Sequence, residues 1–272
     1  MLASFRFKEL FFSFHWSRAA LVAGFSVLAT FVLAGCGGLS DVFGQESTDS
    51  HEGASTEYEG FTVEGRHLYD PCGERVVLRG INYMVVWLDD GQDGMPAFRE
   101  IARTGANAVR IVWDTSATPQ QLGTAVTNAV EQDLIPMIEL HNATGKWDLV
   151  DEMVDYWVRP ETVSMIRRHE EHLLVNIANE AGDESVTDEQ YRAGYENAVR
   201  RMREAGIRTP IVIDAAGGGT HEGQLLRTAP WRPAPDARTN LLFSGHSWHA
   251  GNDTSRITHT LAPAVGPGTP LI

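Results

Sequence analysis

From Phe61 onward the chain keeps one texture, in which a short and nearly continuous apolar run alternates with a longer amphipathic segment. Six of the runs read as strands, at 76–82, 108–113, 134–141, 173–180, 210–216 and 241–248. Segments between them, such as 95–104, 119–132 and 188–205, read as helices, the last with Thr187 as its cap and Gly206 closing it. Polar residues end the strands: Arg110, His141, Glu180, Asp214 and His246 follow one another at intervals of 31, 39, 34 and 32. That interval is a strand-helix period, not a sequence repeat. Strands apolar on both faces, separated by amphipathic helices, predict a parallel sheet jacketed by helices, as in a (β/α)8 barrel. An open doubly wound sheet fits less well, because no Gly-rich phosphate loop follows the first strand. Ahead of the barrel, residues 61–69 alternate in part and Asp70-Pro71-Cys72-Gly73 supplies a turn, so a β-hairpin is expected there.

The amino terminus has another character. Arg6, Lys8 and Arg18 precede an uncharged stretch, 19–35, that stops at Leu33-Ala34-Gly35-Cys36. This reads as an export signal over 1–35, and its end resembles the bacterial lipoprotein cleavage box, which implies lipidation of Cys36 and attachment to a membrane. An uncleaved membrane anchor is the alternative, since the stretch approaches spanning length. Residues 36–60 are too polar to fold and read as a tether, leaving 61–272 as the barrel domain. With Cys36 lipidated, Cys72 is expected to be a passive thiol; a disulfide between the two is the competing expectation. The formal charge of −14 supplies no cationic field for phosphate backbones, so nucleic acid is not an expected partner, and a neutral ligand suits the chain better. A monomer is the default expectation.

In a parallel barrel the carboxyl ends of all strands share one rim, so these strand-end residues should converge. A Glu such as Glu180 can donate a proton if its neighbours keep it protonated, and Asn179 beside it can bond a hydroxyl, although an Asn-Glu pair after a strand is also a common helix cap. Glu139 lies two residues before His141 and shares its face, and Arg110 points inward from the adjacent strand, so the pair can also be a structural ion pair. Trp87, Trp113, Trp147 and Trp248 sit at or after strand ends, where flat indoles suit the faces of sugar rings, though plain packing would also place them there. No metal or cofactor is expected: His169-Glu170-Glu171-His172 lacks zinc-helix spacing and reads as a solvated helix face. Gly217-Gly218-Gly219 lacks the Lys and Ser or Thr of a phosphate loop and reads as a flexible loop. No Gly-x-Ser-x-Gly elbow occurs.

Six motifs in order, Leu78-Arg79-Gly80-Ile81-Asn82, Thr104 to Val112, Glu139 to Gly145, Val154-Asp155-Tyr156-Trp157, Asn176 to Glu180 and Ile213 to Gly217, together resemble glycoside hydrolase family 5 and, within it, bacterial endo-β-1,4-mannanases. The resemblance implies a retaining glycosidase acting on a neutral β-linked polysaccharide, mannan or alternatively β-glucan. It implies Glu180 as acid/base, Asn179 on the sugar's 2-hydroxyl, and Arg110, His141 and His246 as support for the nucleophile. His246-Ser247-Trp248 stands where the family commonly has His-x-Tyr, and Ala181 where a Trp often follows the Asn-Glu pair. The family's nucleophile is a Glu ending the seventh strand. The chain stops at Ile272, inside that expected strand, so about six and a half strand-helix units and an inactive fragment are expected, or alternatively a non-catalytic carbohydrate-binding lipoprotein.

Overall fold

The computed structural model describes residues 58–88, 91–228, 240–246 and 269–272. The signal and lipidation expectations at 1–35 and Cys36, most of the tether, and Trp248 lie outside these residues. The folded body begins within the expected tether: Tyr58 is buried and donates from its hydroxyl to the Phe61 carbonyl at 3.0 Å.

Three short antiparallel strands come first, β1 (Thr62–Glu64), β2 (His67–Tyr69) and β3 (Arg75–Val76). The turn between β2 and β3 is set by Asp70, whose Oδ1 accepts from the Cys72 and Glu74 amides at 2.9 and 2.8 Å. Cys72 is disulfide-bonded, which corrects its expectation as a passive thiol.

Six parallel strands follow in sequence order: β4 (Gly80–Tyr83), β5 (Ala108–Trp113), β6 (Ile135–Leu140), β7 (Leu174–Asn176), β8 (Ile211–Asp214) and β9 (Leu241–Ser244). Neighbours in sequence are neighbours in the sheet, as a singly wound barrel requires. Leu271 then bridges to Phe243 in parallel, with the Phe243 amide donating to Pro270 at 2.8 Å and the Ile272 amide to Phe243 at 2.8 Å. The described sheet is thus an incomplete (β/α)8 barrel. The expected strand at 76–82 is in fact two: Val76 belongs to the small sheet, and β4 starts at Gly80. A Cβ on Gly80 would stand 2.4 Å from the Ala108 carbonyl oxygen, so glycine is what lets β4 approach β5.

The helices are α1 (Val85–Leu88), α2 (Ala97–Arg103), α3 (Pro119–Val130), α4 (Val150–Trp157), α5 (Pro160–Arg168), α6 (Asp188–Glu204) and α7 (Glu222–Thr228). Both long helices start in capping boxes, Thr118 with Gln121 and Thr187 with Gln190, each satisfying two orphan donors at the first turn. The His169–His172 segment is not a helix face. It forms the turn after α5, and Glu170 pairs with Arg208 at 2.5 Å.

Strand alternation divides the barrel into two cores. Odd positions of β5, β7, β8 and β9 and even positions of β6, among them Val109, Ile111, Ile138, Val175, Ile213 and Phe243, face the helices in the larger core. Inward positions are arranged in layers. The lower layer, Met137, Leu174, Val212 and Leu242, packs with Phe61 and Leu68 of the amino-terminal sheet. Two residues further along these strands come Glu139, Asn176, Asp214 and Ser244, so the interior turns from apolar to polar toward the carboxyl ends of the strands.

Candidate active site

The polar layer gathers around Arg110. Its Nη2 donates to Asn179 Oδ1 at 3.0 Å and to Asp214 Oδ2 at 3.1 Å, and its Nη1 lies 3.5 Å from Glu139 Oε1. Groups from β6, β8 and the segment after β7 therefore converge on one guanidinium of β5, whose planar fork can serve several oxygens at once. Glu139 and Asp214 are fully buried. Burial pushes the Glu139 carboxyl up from its ordinary value, against the opposing pull of Arg110 and of its bond to His141. His141 Nδ1 sits 3.0 Å from Glu139 Oε1, and that bond, working against burial, raises the imidazole's pKa.

Glu180 follows β7 on a turn. Its backbone is in the left-handed region, φ +45°, which a non-glycine residue seldom adopts. Bonds from three sides hold it there: its amide donates to Asp214 Oδ2 at 3.1 Å, its carbonyl accepts from Gly145 at 3.0 Å, and Thr144 bridges Ala181. Asn179 is fixed in turn by Thr144, whose Oγ1 accepts from Asn179 Nδ2 at 2.9 Å. The helices reach in as well. Trp157 on α4 donates to the Ile177 carbonyl at 2.8 Å and Tyr191 on α6 to the Asp214 carbonyl at 2.8 Å, fixing the strand ends that carry the site.

Beyond β9, His246 Nδ1 lies 2.5 Å from Glu180 Oε1 while its Nε2 lies 3.4 Å from Asp214 Oδ2. Both nitrogens face carboxylate oxygens, so the ring can donate to both only as the imidazolium. Burial alone would lower its pKa; the bond to Glu180 and the charge of Asp214 outweigh it, and the net shift is upward. The Gly217–Gly219 loop packs onto this histidine. All three glycines have positive φ, Gly219 accepts from the His246 amide at 2.9 Å, and a Cβ on Gly219 would stand 2.6 Å from the His246 Cβ. The segment expected to be a flexible loop is a shaped wall of the site.

The structure thus brings Glu180, Asn179, Arg110, His141 and His246 into one cluster. It separates the tryptophans. Trp87 on α1 is 47% exposed, with its ring 5.7 Å from that of His141, and can offer a face at the rim. Trp113 cannot: it is fully buried and donates to the Tyr156 hydroxyl at 3.2 Å. The reason lies in the strand's alternation, since Trp113 shares the outward side of Val109 and Ile111. Trp147 stacks on Tyr191 at 5.8 Å and meets Tyr195 edge-on at 5.3 Å, so it packs the loop against α6 instead of standing clear as a platform. Sequence reasoning places Asp214 among the converging strand-end residues without giving it a role, and it does not single out Asn176. The signal available is the repeated apolar-x-polar ending, Leu174-x-Asn176 and Val212-x-Asp214, on inward positions. Among the described residues no group of three or more His, Cys, Asp or Glu side chains is placed to hold a metal ion.

No family model matches the chain. Over 223 residues it is 27% identical to the mannan endo-1,4-β-mannosidase of Cellvibrio japonicus, covering 78% of this chain and 51% of that protein. Over 222 residues it is 28% identical to the enzyme of the same name from Salipaludibacillus agaradhaerens, covering 78% and 70%. Among solved structures, the mannohexaose complex of the Thermomonospora fusca β-mannanase superposes with a TM-score of 0.71 at 28% identity, over 78% of this chain and 74% of that one. The chain is mannanase-like in both sequence and fold. These likenesses agree with the resemblance to glycoside hydrolase family 5 carried by the strand-end motifs. The mannanase-like chain spans about half the length of the first of these relatives.

Proposed function

We propose that the protein is a retaining endo-β-1,4-mannanase in which Glu180 is the acid/base. The observation that carries this reading is the seat of Glu180: a carboxyl at the carboxyl-terminal rim of an incomplete (β/α)8 barrel, bonded to His246 and flanked by Asn179 on Arg110. In such a reaction one carboxyl protonates the glycosidic oxygen as a second attacks the anomeric carbon; the first then activates the water that releases the glycosyl-enzyme. Glu139 and Asp214 are fully buried and face Arg110, so neither is assigned the attack.

The protein as its source makes it should release reducing sugar from β-mannan faster than from carboxymethyl cellulose; the reverse preference would transfer the reading to a β-glucanase. Glu180→Gln should lower kcat on mannan by about 10²–10⁴-fold, the range a positioned proton donor supplies. Unchanged turnover would remove Glu180 from the role.

Export belongs to the same reading. The basic start, the uncharged stretch and Cys36 support cleavage before that cysteine, and a disulfide at Cys72 suits an oxidising compartment. The chain has two cysteines, so a lipid on the Cys36 thiol would leave Cys72 no partner within it. Mass spectrometry of the non-reduced mature protein distinguishes a lipid-anchored product, heavier by its acyl chains, from a disulfide-tied one.

A further inference from the structure

Asp214 ends β8 with none of its surface exposed, and each group it meets is a donor. Its Oδ1 accepts from Asn176 Nδ2 at 2.6 Å; its Oδ2 faces Arg110 Nη2 at 3.1 Å, the Glu180 amide at 3.1 Å and His246 Nε2 at 3.4 Å. An ionised carboxylate is the one side chain of this size that only accepts. The turn that follows the end of β7 at Asn176 takes the Glu180 amide out of the strand ladder, and a buried amide must find an acceptor. Asp214 is that acceptor. It is held in place by its own register with Ser244 and by the Tyr191 hydroxyl on its carbonyl.

We propose that Asp214 is the positioning residue of the acid/base, fixing the backbone from which Glu180 projects and, through the far nitrogen of His246, the orientation and proton of its carboxyl. This rests on the acid/base reading of Glu180 and deepens it. The charged and titratable groups around the Asp214 and His246 pair are Arg110 from β5, Glu139 and His141 from β6, Glu180 after β7, and Tyr191 and Tyr195 from α6. Arg110 is the cation facing Asp214, and the negative charge of Asp214 favours keeping a proton on the His246 and Glu180 pair. Without that charge the pair gives up its proton at lower pH.

Asparagine does not replace Asp214 in either orientation. With its oxygen toward Arg110, its amide nitrogen meets the Asn176 amide nitrogen; flipped, its nitrogen meets three donors. Asn176 cannot turn to relieve the clash, because its Oδ1 already accepts from the Ala178 amide at 3.1 Å. Combining Asp214→Asn with Asn176→Asp does satisfy every bond. The amide introduced on β8 would donate to the carboxylate introduced on β7 and accept on its other side, with the charge moved one strand away from His246.

The test is steady-state kinetics on mannan across pH, with the unaltered protein beside Asp214→Asn and the exchanged pair. Asp214→Asn should lower kcat about 100-fold with KM within about twofold, as expected for a displaced catalytic group. The alkaline limb of its kcat profile should move to lower pH by about 1 unit. The exchanged pair should regain at least about tenfold of kcat, because the Glu180 amide again has its acceptor, while its alkaline limb stays displaced. A single variant with unaltered kcat and pH profile, or an exchanged pair no better than the single variant, overturns the proposal. If the single variant does not fold, the exchanged pair against the unaltered protein decides by its displaced limb. Glu180→Gln separates the two readings: full turnover there overturns the acid/base assignment itself, whereas lost turnover there with an unaffected Asp214→Asn overturns only this one. An NMR titration of the His246 ring in the 272-residue chain needs no turnover; Asp214→Asn should lower its midpoint, and an unmoved midpoint counts against the proposal.

Discussion

The two inward layers of the barrel stand two residues apart on the same strands and are put to opposite uses. Met137, Leu174, Val212 and Leu242 form an apolar floor closed from below by Phe61 and Leu68, with Asn240 donating to the Phe61 carbonyl at 2.8 Å. Glu139, Asn176 and Asp214 form a polar rim organised by Arg110. Burial is nearly equal in the two layers, so exclusion from water does not distinguish them. What differs is the type of interaction. The floor gains free energy from apolar area removed from water, whereas the rim must pair its buried polar groups merely to offset desolvation. Stability should therefore be concentrated in the floor, and chemistry in the rim.

Leu174→Ala should break the floor with the largest effect. It should cost about 2–5 kcal/mol in chemical denaturation, from lost transfer energy and a cavity, while activity per folded molecule stays near that of the unaltered protein. A collapse of kcat with intact stability would erase the distinction between layers. In the rim, His246→Gln addresses pH. The folded-state pKa of His246 is raised, so its bound proton stabilises the fold fully below about pH 6.5, and that contribution is lost as pH rises through the raised value. Melting temperature should accordingly fall from about pH 6 to pH 8, and the substitution should flatten that slope. A steeper slope in the variant would reverse the assigned sign.

Two smaller changes sharpen the contrast from outside both layers. Thr187→Ala removes half of a capping box on α6 and should cost about 1 kcal/mol of stability, seen by denaturant titration, with unchanged kinetics. Trp87→Ala removes an exposed ring at the rim and should raise KM for mannan a few-fold, an effect of about 0.5–1.5 kcal/mol, with melting unchanged. If its melting falls while KM holds, Trp87 is packing and not a substrate platform.

Much of this is legible in the chain. The strand-helix interval depends on local periodicity, and each of the six parallel strands overlaps its expected run. β7 and β8 are shorter than their apolar runs because the runs continue into buried strand-end turns such as 177–180. Trp113 departs from its expected place because its side of the strand, and not its nearness to the strand end, decides where the ring points. The packing of Trp147 on α6 depends on residues distant in sequence, which no local pattern encodes.

By itself the sequence determined that a parallel, helix-covered barrel would form and that Arg110, His141, Glu180, Asp214 and His246 would meet at its rim, because period and strand polarity are local properties of a chain. Only the tertiary structure decided which buried carboxylate would support Glu180. That choice depends on the turn after β7 presenting the Glu180 amide to β8, where Asp214 faces Arg110, Asn176 and His246 at once. An acceptor surrounded by donors from three separate segments is a property of their convergence, and no one of those segments carries it.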